Sequence, residues 1–516
     1  MPLGLLVIVA ALVSGACTGP DQNEPPLDGD ASLGGVQLEL LVVDDPGLAA
    51  AAKRLRGEWN AQTGAEFEVA ECSTSELLAA EKLNADAVIV PSWVFAPLAE
   101  REWVAPVPHE ILGEKSGPWP PIFETLRTRE AVWDDTVYGV PFGSPVLTCY
   151  YRADLLEKLG RRPPESWEEY GELAELLADR SKLGGDDETG NTLQVPPRGG
   201  QSHFRGDHAS RGARRENRDS PLWCGTIEPL AEGWAGLTLL ARAAPAAKHR
   251  DNFAALFDPE SMEPLVAGEP FVRALEQLVA ASRHGPKEPW RFDPDAARAA
   301  FWAGQCGMAL TWPTGAKQEG LPKNPPPGCE VGFLELFGSR EVYDVATRRW
   351  ETRGSDDDKR VTLLEVAGRL GLVSAESGSA DAAFQLLFWL SGEDLSPRFC
   401  TASPATTLFR DSHLTAPRPW VESPAPEAAA AQYAATLYDA ATFDAALRRE
   451  QFIFALRIPG RERYLAALDE AVLAAVRGES EPAEALEQAA EKWRAVTAQL
   501  GPDAQKQAYR RCLGLD

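Results

Sequence analysis

The sequence contains Ser, His, Asp, Glu and Cys residues that could perform catalysis, but they do not form a known catalytic motif. The sequence contains no GxSxG nucleophile elbow, no HExxH zinc motif, no Walker-type phosphate loop and no strand-linked GxGxxG. His203 and His208 could together bind a metal, but a third ligand does not lie near them. We therefore predict a protein that is not an enzyme, with no catalytic residues, no metal and no cofactor. The two catalytic carboxylates of a glycosidase have no fixed spacing in sequence and could not be recognised among the many Asp and Glu residues. A secreted enzyme therefore stays an alternative.

Another set of residues has the types needed to bind a sugar. Flat aromatic faces pack against the C–H face of a pyranose ring, and carboxylates, hydroxyls and guanidinium groups hydrogen-bond its hydroxyls. The candidate ligand-binding residues are Ser92, Trp93, Phe142, Ser144, Trp223, Trp312, Glu365, Arg457 and Tyr464. Six of them also have a plainer interpretation: core packing for Trp93 and Trp223, a mechanical hinge for Phe142 and Ser144, or a solvated surface for Glu365 and Arg457.

The composition limits the partners that the protein can bind. Its 516 residues can form two or three domains, each with its own core. The formal net charge of -26 argues against a nucleic-acid partner or direct binding to an anionic membrane surface, since both require clustered cations. A small, neutral ligand remains compatible with this charge.

The N-terminus has the features of an export signal. An apolar run from Leu3 to Val13 is long enough for a signal-peptide core and too short to span a bilayer. Small residues then precede Cys17, which resembles a bacterial lipobox. We predict that 1–16 are a lipoprotein signal peptide, that Cys17 is lipidated and that 17–35 form a flexible tether. The alternative is an ordinary signal peptide followed by an incidental cysteine.

The remaining cysteines do not indicate a metal cluster. Seven cysteines follow Cys17, widely spaced and without a CxxC pair. An exported chain could form disulfides between them, but their pairing stays open.

Strands that alternate with helices would position the candidate residues. The run 36–43 (VQLELLVV) predicts a buried strand, a helix follows through Trp59, and 85–91 (ADAVIVP) predicts a further strand. This alternation indicates a doubly wound α/β sheet, in which ligands lie at the carboxyl ends of strands. Ser92 and Trp93 follow such a strand directly.

The stretch 138–160 (YGVPFGSPVLTCYYRADLLEKLG) organises the chain around it. Its glycines and prolines exclude an uninterrupted helix, so we predict strand, bend, strand and then a helix that ends at Gly160. The bend at 143–145 is a natural crossing between two lobes.

An insertion of about 183–220 interrupts this pattern. It is rich in Gly, Asp and Arg in an otherwise acidic chain. It is interpreted either as a long surface insertion or as a contact for an acidic partner or lipid headgroups.

Several blocks resemble the extracellular solute-binding proteins, family 1, of ABC importers. The stretch 138–160 with the following PPESWEEY resembles the family's inter-lobe crossing. AFWAGQCGMALTWP at 300–313 and EVAGRLGLVS at 365–374 resemble its strand-tip tryptophan block and its second crossing. GESEPAEALEQAAEKW at 478–493 resembles its closing helix. The blocks occur in the family's order over most of the chain.

The resemblance implies a fold. It is an α/β, two-lobe, periplasmic-binding-protein-like fold of type II, with a central sheet flanked by helices in each lobe and hinge crossings between the lobes. Lobe 1 is expected at 36–143 plus 368–412, and lobe 2 at 144–367 plus 413–516. Crossings are expected near 142–148, 365–372 and 408–420. Trp312 matches a tryptophan that commonly stacks on the sugar in relatives, and Arg457 and Tyr464 lie in a region that reaches the cleft there.

The resemblance also implies a function. The protein is expected to capture a small solute, most simply a sugar or oligosaccharide, in the inter-lobe cleft and to deliver it to the permease subunits of an ABC importer. It would be a monomer in the cell envelope outside the cytoplasm, held to a membrane by its N-terminal lipid and without a nucleic-acid partner. A ligand-sensing or adaptor protein without a transport role, or a secreted carbohydrate-active enzyme, are the alternatives.

Overall fold

The computed structural model describes most of the chain after the tether. The described residues are 33–113, 117–183, 223–252, 254–317, 321, 328–354, 357–438 and 443–515. The predicted signal peptide, Cys17, His203, His208 and nearly all of the Arg-rich insertion lie outside the described residues.

The strands in this part of the chain fall into two larger sheets and several short pairs. In chain order they are β1 (Gln37–Val43), β2 (Glu66–Cys72), β3 (Ala87–Pro91), β4 (Val104–Ala105), β5 (Val132–Trp133), β6 (Thr136–Val137), β7 (Val140–Pro141), β8 (Thr148–Arg152), β9 (Cys224–Ile227), β10 (Cys306–Thr311), β11 (Val331–Glu335), β12 (Glu341–Asp344), β13 (Arg349–Thr352), β14 (Thr362–Leu364), β15 (Arg369–Ser374) and β16 (Phe452–Phe454).

Helices cover both sheets and form a thick layer at the C-terminal end. In chain order they are α1 (Pro46–Thr63), α2 (Thr74–Ala79), α3 (Phe95–Glu100), α4 (His109–Gly113), α5 (Ala153–Lys158), α6 (Trp167–Ala178), α7 (Ala235–Ala247), α8 (Glu269–Ser282), α9 (Pro294–Trp302), α10 (Ala380–Ser391), α11 (Ser396–Phe399), α12 (Asp411–Thr415), α13 (Glu427–Leu437), α14 (Phe443–Leu447), α15 (Arg461–Val476), α16 (Pro482–Leu500) and α17 (Pro502–Leu513). A π-helical turn spans Leu126–Glu130. None of the described helices combines the length and the hydropathy that a membrane crossing requires.

The first sheet has the strand order β2-β1-β3-β15-β4, with β7 also paired to β15. β1 is parallel to β2 and β3, whereas β15 is antiparallel to β3, β4 and β7. β3 is buried along its whole length, which explains its continuous apolar sequence. The side chain of Asp45 accepts a hydrogen bond from the backbone of Leu48 (3.0 Å) and, with Pro46 in the first turn, starts α1 directly after β1.

The second sheet has the order β11-β8-β10-β9. β8 is antiparallel to both β10 and β11, and β9 is parallel to β10. α6 packs on β9 and β10, and α9 packs on β10. The large helices α7, α8, α15 and α16 then pack on one another around Phe257, Tyr464 and Trp493.

The chain passes between the sheets near two of the predicted crossings, 142–148 and 365–372, and the third, near 408–420, stays a prediction. β7 belongs to the first sheet and β8 to the second, so 142–147 connect them. β14 pairs with β16 on the side of the helical layer, and β15 returns to the first sheet after 365–368. The prediction of an α/β chain with two lobes, each a sheet flanked by helices, is confirmed. The exact lobe boundaries stay a prediction.

Candidate functional site

The two crossings run side by side and are hydrogen-bonded to each other. Phe142 N donates to Arg369 O (2.9 Å), and Arg369 N donates to Gly143 O (3.1 Å). Gly143 has a φ of +102°, and a Cβ there would lie 2.1 Å from the carbonyl oxygen of Thr407. Only glycine fits this crossing, because the segment around Thr407 packs directly on it.

A group of charged side chains is buried beside these crossings. We call Glu130, Ser144, Glu365, Arg457 and Arg461 the hinge cluster. Arg457 Nε lies 2.9 Å from Glu365 Oε1, and both side chains are almost fully buried. The contact is electrostatic only, since the Nε–H does not point at the carboxylate and neither Glu365 oxygen accepts a hydrogen bond from the described residues. Glu365 also has a φ of +60°, an unusual backbone conformation for a non-glycine residue.

Burial disfavours the charged forms of both acids in the hinge cluster. It raises the pKa of Glu365 to about 7, although Arg457 and Arg461 act in the opposite direction. It raises the pKa of Glu130 to about 8, with further upward pressure from the charge of Glu365. Glu130 and Glu365 both lie near the guanidinium of Arg457, and the raised pKa values of both shift them toward the protonated carboxyl at neutral pH.

Ser144 connects Glu130 to the second crossing. Its Oγ lies 2.6 Å from Glu130 Oε1 and 3.0 Å from Ala367 O. One hydroxyl proton cannot serve both acceptors. With Glu130 protonated, the carboxyl donates to Ser144 and Ser144 donates to the carbonyl of Ala367, so the raised pKa and the hydrogen-bond geometry agree.

Backbone carbonyls and aromatic rings surround the two arginines. Arg457 donates to the carbonyls of Arg129 (3.1 Å) and Glu130, and Arg461 donates to those of Ala455 (3.0 Å) and Glu365 (3.1 Å). The guanidinium of Arg457 lies over Phe95, Trp133 and Phe454, and that of Arg461 lies 5.0 Å from the ring centre of Trp93. The cluster thus joins the segment after β3 and the π-helical turn to the C-terminal helices.

A second ionic contact joins the end of β1 to later segments. Arg369 Nε donates to Asp45 Oδ2 (2.9 Å), and Ser403 Oγ donates to the same oxygen (2.5 Å). Asp45 therefore caps α1 with one oxygen and binds the second crossing and the 403 segment with the other.

A cavity of about 500 Å³ lies between elements of the two sheets. On the side of the first sheet, Arg54 of α1 and the segment after α10 line it. On the side of the second sheet, α9 and the segment after β10 line it. The lining residues are Arg54, Asp295, Arg298, Gly315, Ala316, Lys317, Arg398, Thr401, Ala402 and Pro404. This volume lies within the range of about 300–1,000 Å³ that small-molecule sites occupy.

Some of the predicted ligand-binding residues come together at the crossings. Ser144, Glu365 and Arg457 are members of the hinge cluster, and Ser92 N donates to Gly368 O (3.1 Å) beside them. Trp93 lies under Arg461. All five side chains are buried, and none of them lines the cavity. Their contact with a ligand stays a prediction.

The other predicted residues pack elsewhere. Phe142 contacts Phe399 in the core of the first sheet, and Tyr464 packs among the C-terminal helices with its hydroxyl 2.9 Å from Thr497 Oγ1. Trp223 donates its indole N–H to Leu177 O (2.6 Å) near the point where the insertion rejoins the chain.

Trp312 borders the cavity without lining it. Its ring packs on Trp234 with 4.9 Å between centroids, and its indole N–H donates to Pro404 O (3.1 Å). Its own carbonyl accepts from Arg298 Nη1 (3.1 Å). Trp312 thus contacts two residues of the cavity wall.

Sequence reasoning did not identify Glu130, Arg461, Arg298 or Arg54. One signal was present for Arg298, because it stands among Ala297, Ala300 and Phe301 on the apolar face of α9, where a charged residue needs a partner. Glu130 and Arg461 carry no such local signal. Among the described residues, no group of three or more His, Cys, Asp or Glu side chains is placed to hold a metal ion, and Cys72, Cys149, Cys224, Cys306, Cys329, Cys400 and Cys512 are all free thiols.

The sequence and the fold were compared with those of known proteins. Residues 51–206 match the family profile described as bacterial extracellular solute-binding protein. None of the curated proteins compared matches the sequence significantly.

Many solved structures share the fold. A solute-binding protein of an ABC transporter from Agrobacterium radiobacter K84, in complex with ribitol, has 16% identity and a TM-score of 0.60, with 90% of this chain and 99% of that chain covered. The sugar-binding protein MalE from Xanthomonas citri has 16% identity and a TM-score of 0.60, over 90% and 98% of the two chains. A solute-binding protein from Agrobacterium vitis S4 with bound D-mannitol has 16% identity and a TM-score of 0.58, over 90% and 99%. This chain therefore has the two-lobe fold of the solute-binding proteins, and its residues 51–206 carry the sequence pattern of the bacterial extracellular solute-binding family.

Proposed function

We propose that this protein is an extracytoplasmic solute-binding protein that captures a small solute between its two lobes and delivers it to an ABC importer. It acts by binding and hinge closure, not by catalysis. The observation that carries the proposal is the cavity of about 500 Å³, whose walls come from both sides of the hinge. A solute there contacts both lobes at once and so favours the closed arrangement over the open one.

The solute class is a sugar, a sugar derivative or a polyol. The match of 51–206 to the solute-binding family supports solute binding, and the solute class rests on the similar structures. The similar structures are complexes with ribitol and D-mannitol in two cases and a sugar-binding protein in a third, and the same class of solute is proposed here by analogy of fold.

Binding is tested by a thermal-shift screen of the chain from Gly34 onward, followed by calorimetry on each hit. Ligand that binds the native state raises the melting temperature in proportion to the logarithm of its excess over Kd. The screen covers sugars, sugar acids, sugar phosphates, polyols and amino acids. A hit among the carbohydrates supports the proposal, and a flat response from well-folded protein overturns it.

Attachment to a membrane through Cys17 is a further part of the proposal. A lipid on this cysteine would hold the binding domain at the membrane through the tether of 17–35. Expression of the full chain and of Cys17→Ser in a bacterial host, followed by membrane fractionation, tests it. Wild-type protein should sediment with membranes and the variant should not, whereas equal sedimentation of both would contradict lipidation at this residue.

A further inference from the structure

The cavity between the lobes is lined by more positive than negative groups, although the protein as a whole is strongly acidic. Arg54, Arg298, Lys317 and Arg398 line it, with Asp295 as its acidic member. The chain carries a formal net charge of -26, so this concentration of cations runs against the overall composition. An acidic surface repels anions, and a cleft that must hold one therefore needs local cations.

Two of these cations have no ionic partner in the part of the chain that the structure describes. Among the described residues, the side chains of Arg54 and Lys317 make no ion pair. Arg54 lies on the side of the first sheet and Lys317 on the side of the second. Both side chains are exposed, so their charges reach into the cavity without a buried counter-ion.

The third cation, Arg298, is fixed in place at the cavity wall. Its side chain is 1% exposed, and it donates to Asp295 Oδ1 (2.6 Å) and Trp312 O (3.1 Å). Its Nε has no hydrogen-bond partner among the described residues, and Glu422 is 3.7 Å away. Asp295 and Glu422 therefore offset the charge of Arg298, which forms a fixed part of the cavity wall. Arg398 differs from the other cations, because Glu58 already binds its guanidinium with both oxygens (3.2 and 2.9 Å).

We propose that the cavity selects an anionic solute: a sugar or polyol derivative that carries a carboxylate or a phosphate. This inference rests on the proposed function and names its substrate class. The acidic group lies between Arg54 and Lys317, so that its charge joins the two lobes. Neutral sugars lack the group that these cations would neutralise and bind more weakly.

The test compares matched solutes on the same ring. Glucose, galactose and mannose are each titrated as the neutral sugar, the uronic acid and the 6-phosphate, by calorimetry at two salt concentrations. We expect at least one acid or phosphate to bind more than tenfold tighter than its neutral parent, and this preference to shrink at high salt. A stronger response to the uronic acid identifies a carboxylate site, and a stronger response to the 6-phosphate identifies a phosphate site.

Variants separate the cavity cations from general charge effects. Arg54→Gln and Lys317→Gln should each weaken binding of the anionic solute roughly five- to tenfold. Arg56→Gln is the matched control, since Arg56 stands on the same helix, is half-buried and pairs with Glu68 outside the cavity. It should leave affinity unchanged.

The outcomes distinguish this inference from the function on which it rests. Neutral and anionic forms that bind equally, with no effect of Arg54→Gln or Lys317→Gln, overturn the charge selection and leave solute binding in place. A failure of all nine solutes, with a neutral sugar or polyol binding in the wider screen, overturns the charge selection alone, whereas a flat response in the wider screen counts against both proposals.

Discussion

The guanidinium of Arg457 lies 2.9 Å from the carboxylate of Glu365 in the interior of the protein, and the two residues come from distant parts of the chain. Glu365 stands at the second crossing, and Arg457 precedes α15. A buried ion pair of this kind is weak support for stability as a whole. The loss of Arg457, however, leaves Glu365 with either an uncompensated charge or a proton that it must take up, and both cost free energy.

Arg457→Met should destabilise the protein by about 3–5 kcal/mol. It removes the cation facing Glu365 and also the donor to the carbonyls of Arg129 and Glu130. Urea unfolding followed by far-UV circular dichroism measures the change. Arg463→Met is the control, because Arg463 is exposed on the neighbouring turn of α15 and should change stability by less than about 0.5 kcal/mol. Equal effects of the two variants would contradict the importance of the buried pair.

Stability should fall as the pH rises from about 6.5 to about 8. The folded-state pKa values of Glu365 and Glu130 are raised to about 7 and about 8, so the folded protein holds protons that the unfolded chain has released above 4.5. Their contribution is full below 4.5 and is lost as the pH passes through these two values. The pH range of this prediction begins at 6.5 because of buried His413, whose pKa is lowered to about 3. Below the ordinary histidine pKa of 6.5, this residue makes the stability rise with pH.

Glu130→Gln tests the source of this pH dependence. The amide imitates the protonated carboxyl and keeps a donor toward Ser144, so urea midpoints at pH 6.5 and 8 should lie closer together than in the wild type. Glu124→Gln, an exposed change on the preceding turn, should leave the difference between the midpoints intact. If the midpoints of the Glu130→Gln variant differ as much as those of the wild type, other groups cause the pH dependence.

Gly143→Ala should destabilise the protein by at least about 3 kcal/mol, because its methyl group would lie 2.1 Å from Thr407 O at a φ of +102°. Gly171→Ala is the matched control in the interior of α6, where a Cβ meets no atom within 4 Å. That change should stabilise the protein by about 0.5–1 kcal/mol. Thermal denaturation of both variants gives the comparison, and a tolerated alanine at 143 would show that the crossing can separate from the Thr407 segment at little cost.

Trp312→Ala should destabilise the protein more than Trp312→Phe. Phenylalanine keeps an aromatic contact with Trp234 but loses the bond to Pro404 O, at a cost of about 1 kcal/mol. Alanine also removes the ring and should cost about 3–5 kcal/mol. Chemical denaturation measures both, with Trp290→Phe as the control tryptophan, since Trp290 is half-buried and packs on Arg477. Identical losses in the two Trp312 variants would mean that the ring itself adds nothing.

Local patterns were sufficient to predict β3 and the first connection between the two sheets. β3 is a continuous apolar run, and glycines and prolines mark the bend at 142–147, so both features follow from residues adjacent in the sequence. The helix after β1 was expected to end near Trp59 and ends at Thr63.

The environment of the charged residues could not be predicted in this way. The sequence around Arg457 is compatible with an exposed side chain. It is buried because residues from other segments pack around it, namely Glu365, Phe95, Trp133 and Phe454. Tyr464 lies on the buried face of α15, yet its surroundings are set by α16 and by Phe257. The cavity has the same origin, since Arg54 and Lys317 line it together through tertiary structure alone.

The position of β15 has a consequence for how the chain is made. β15 pairs with β3, β4 and β7, all of which precede it by a long stretch that includes most of the second sheet. During synthesis from the N-terminus, β3 therefore keeps an open edge until Ser374 has emerged. Contacts between such distant segments form slowly, and an apolar strand with a free edge is a template for aggregation. The nascent chain should need a holding chaperone until the ribosome has passed β15, and a fragment that ends before it should be insoluble.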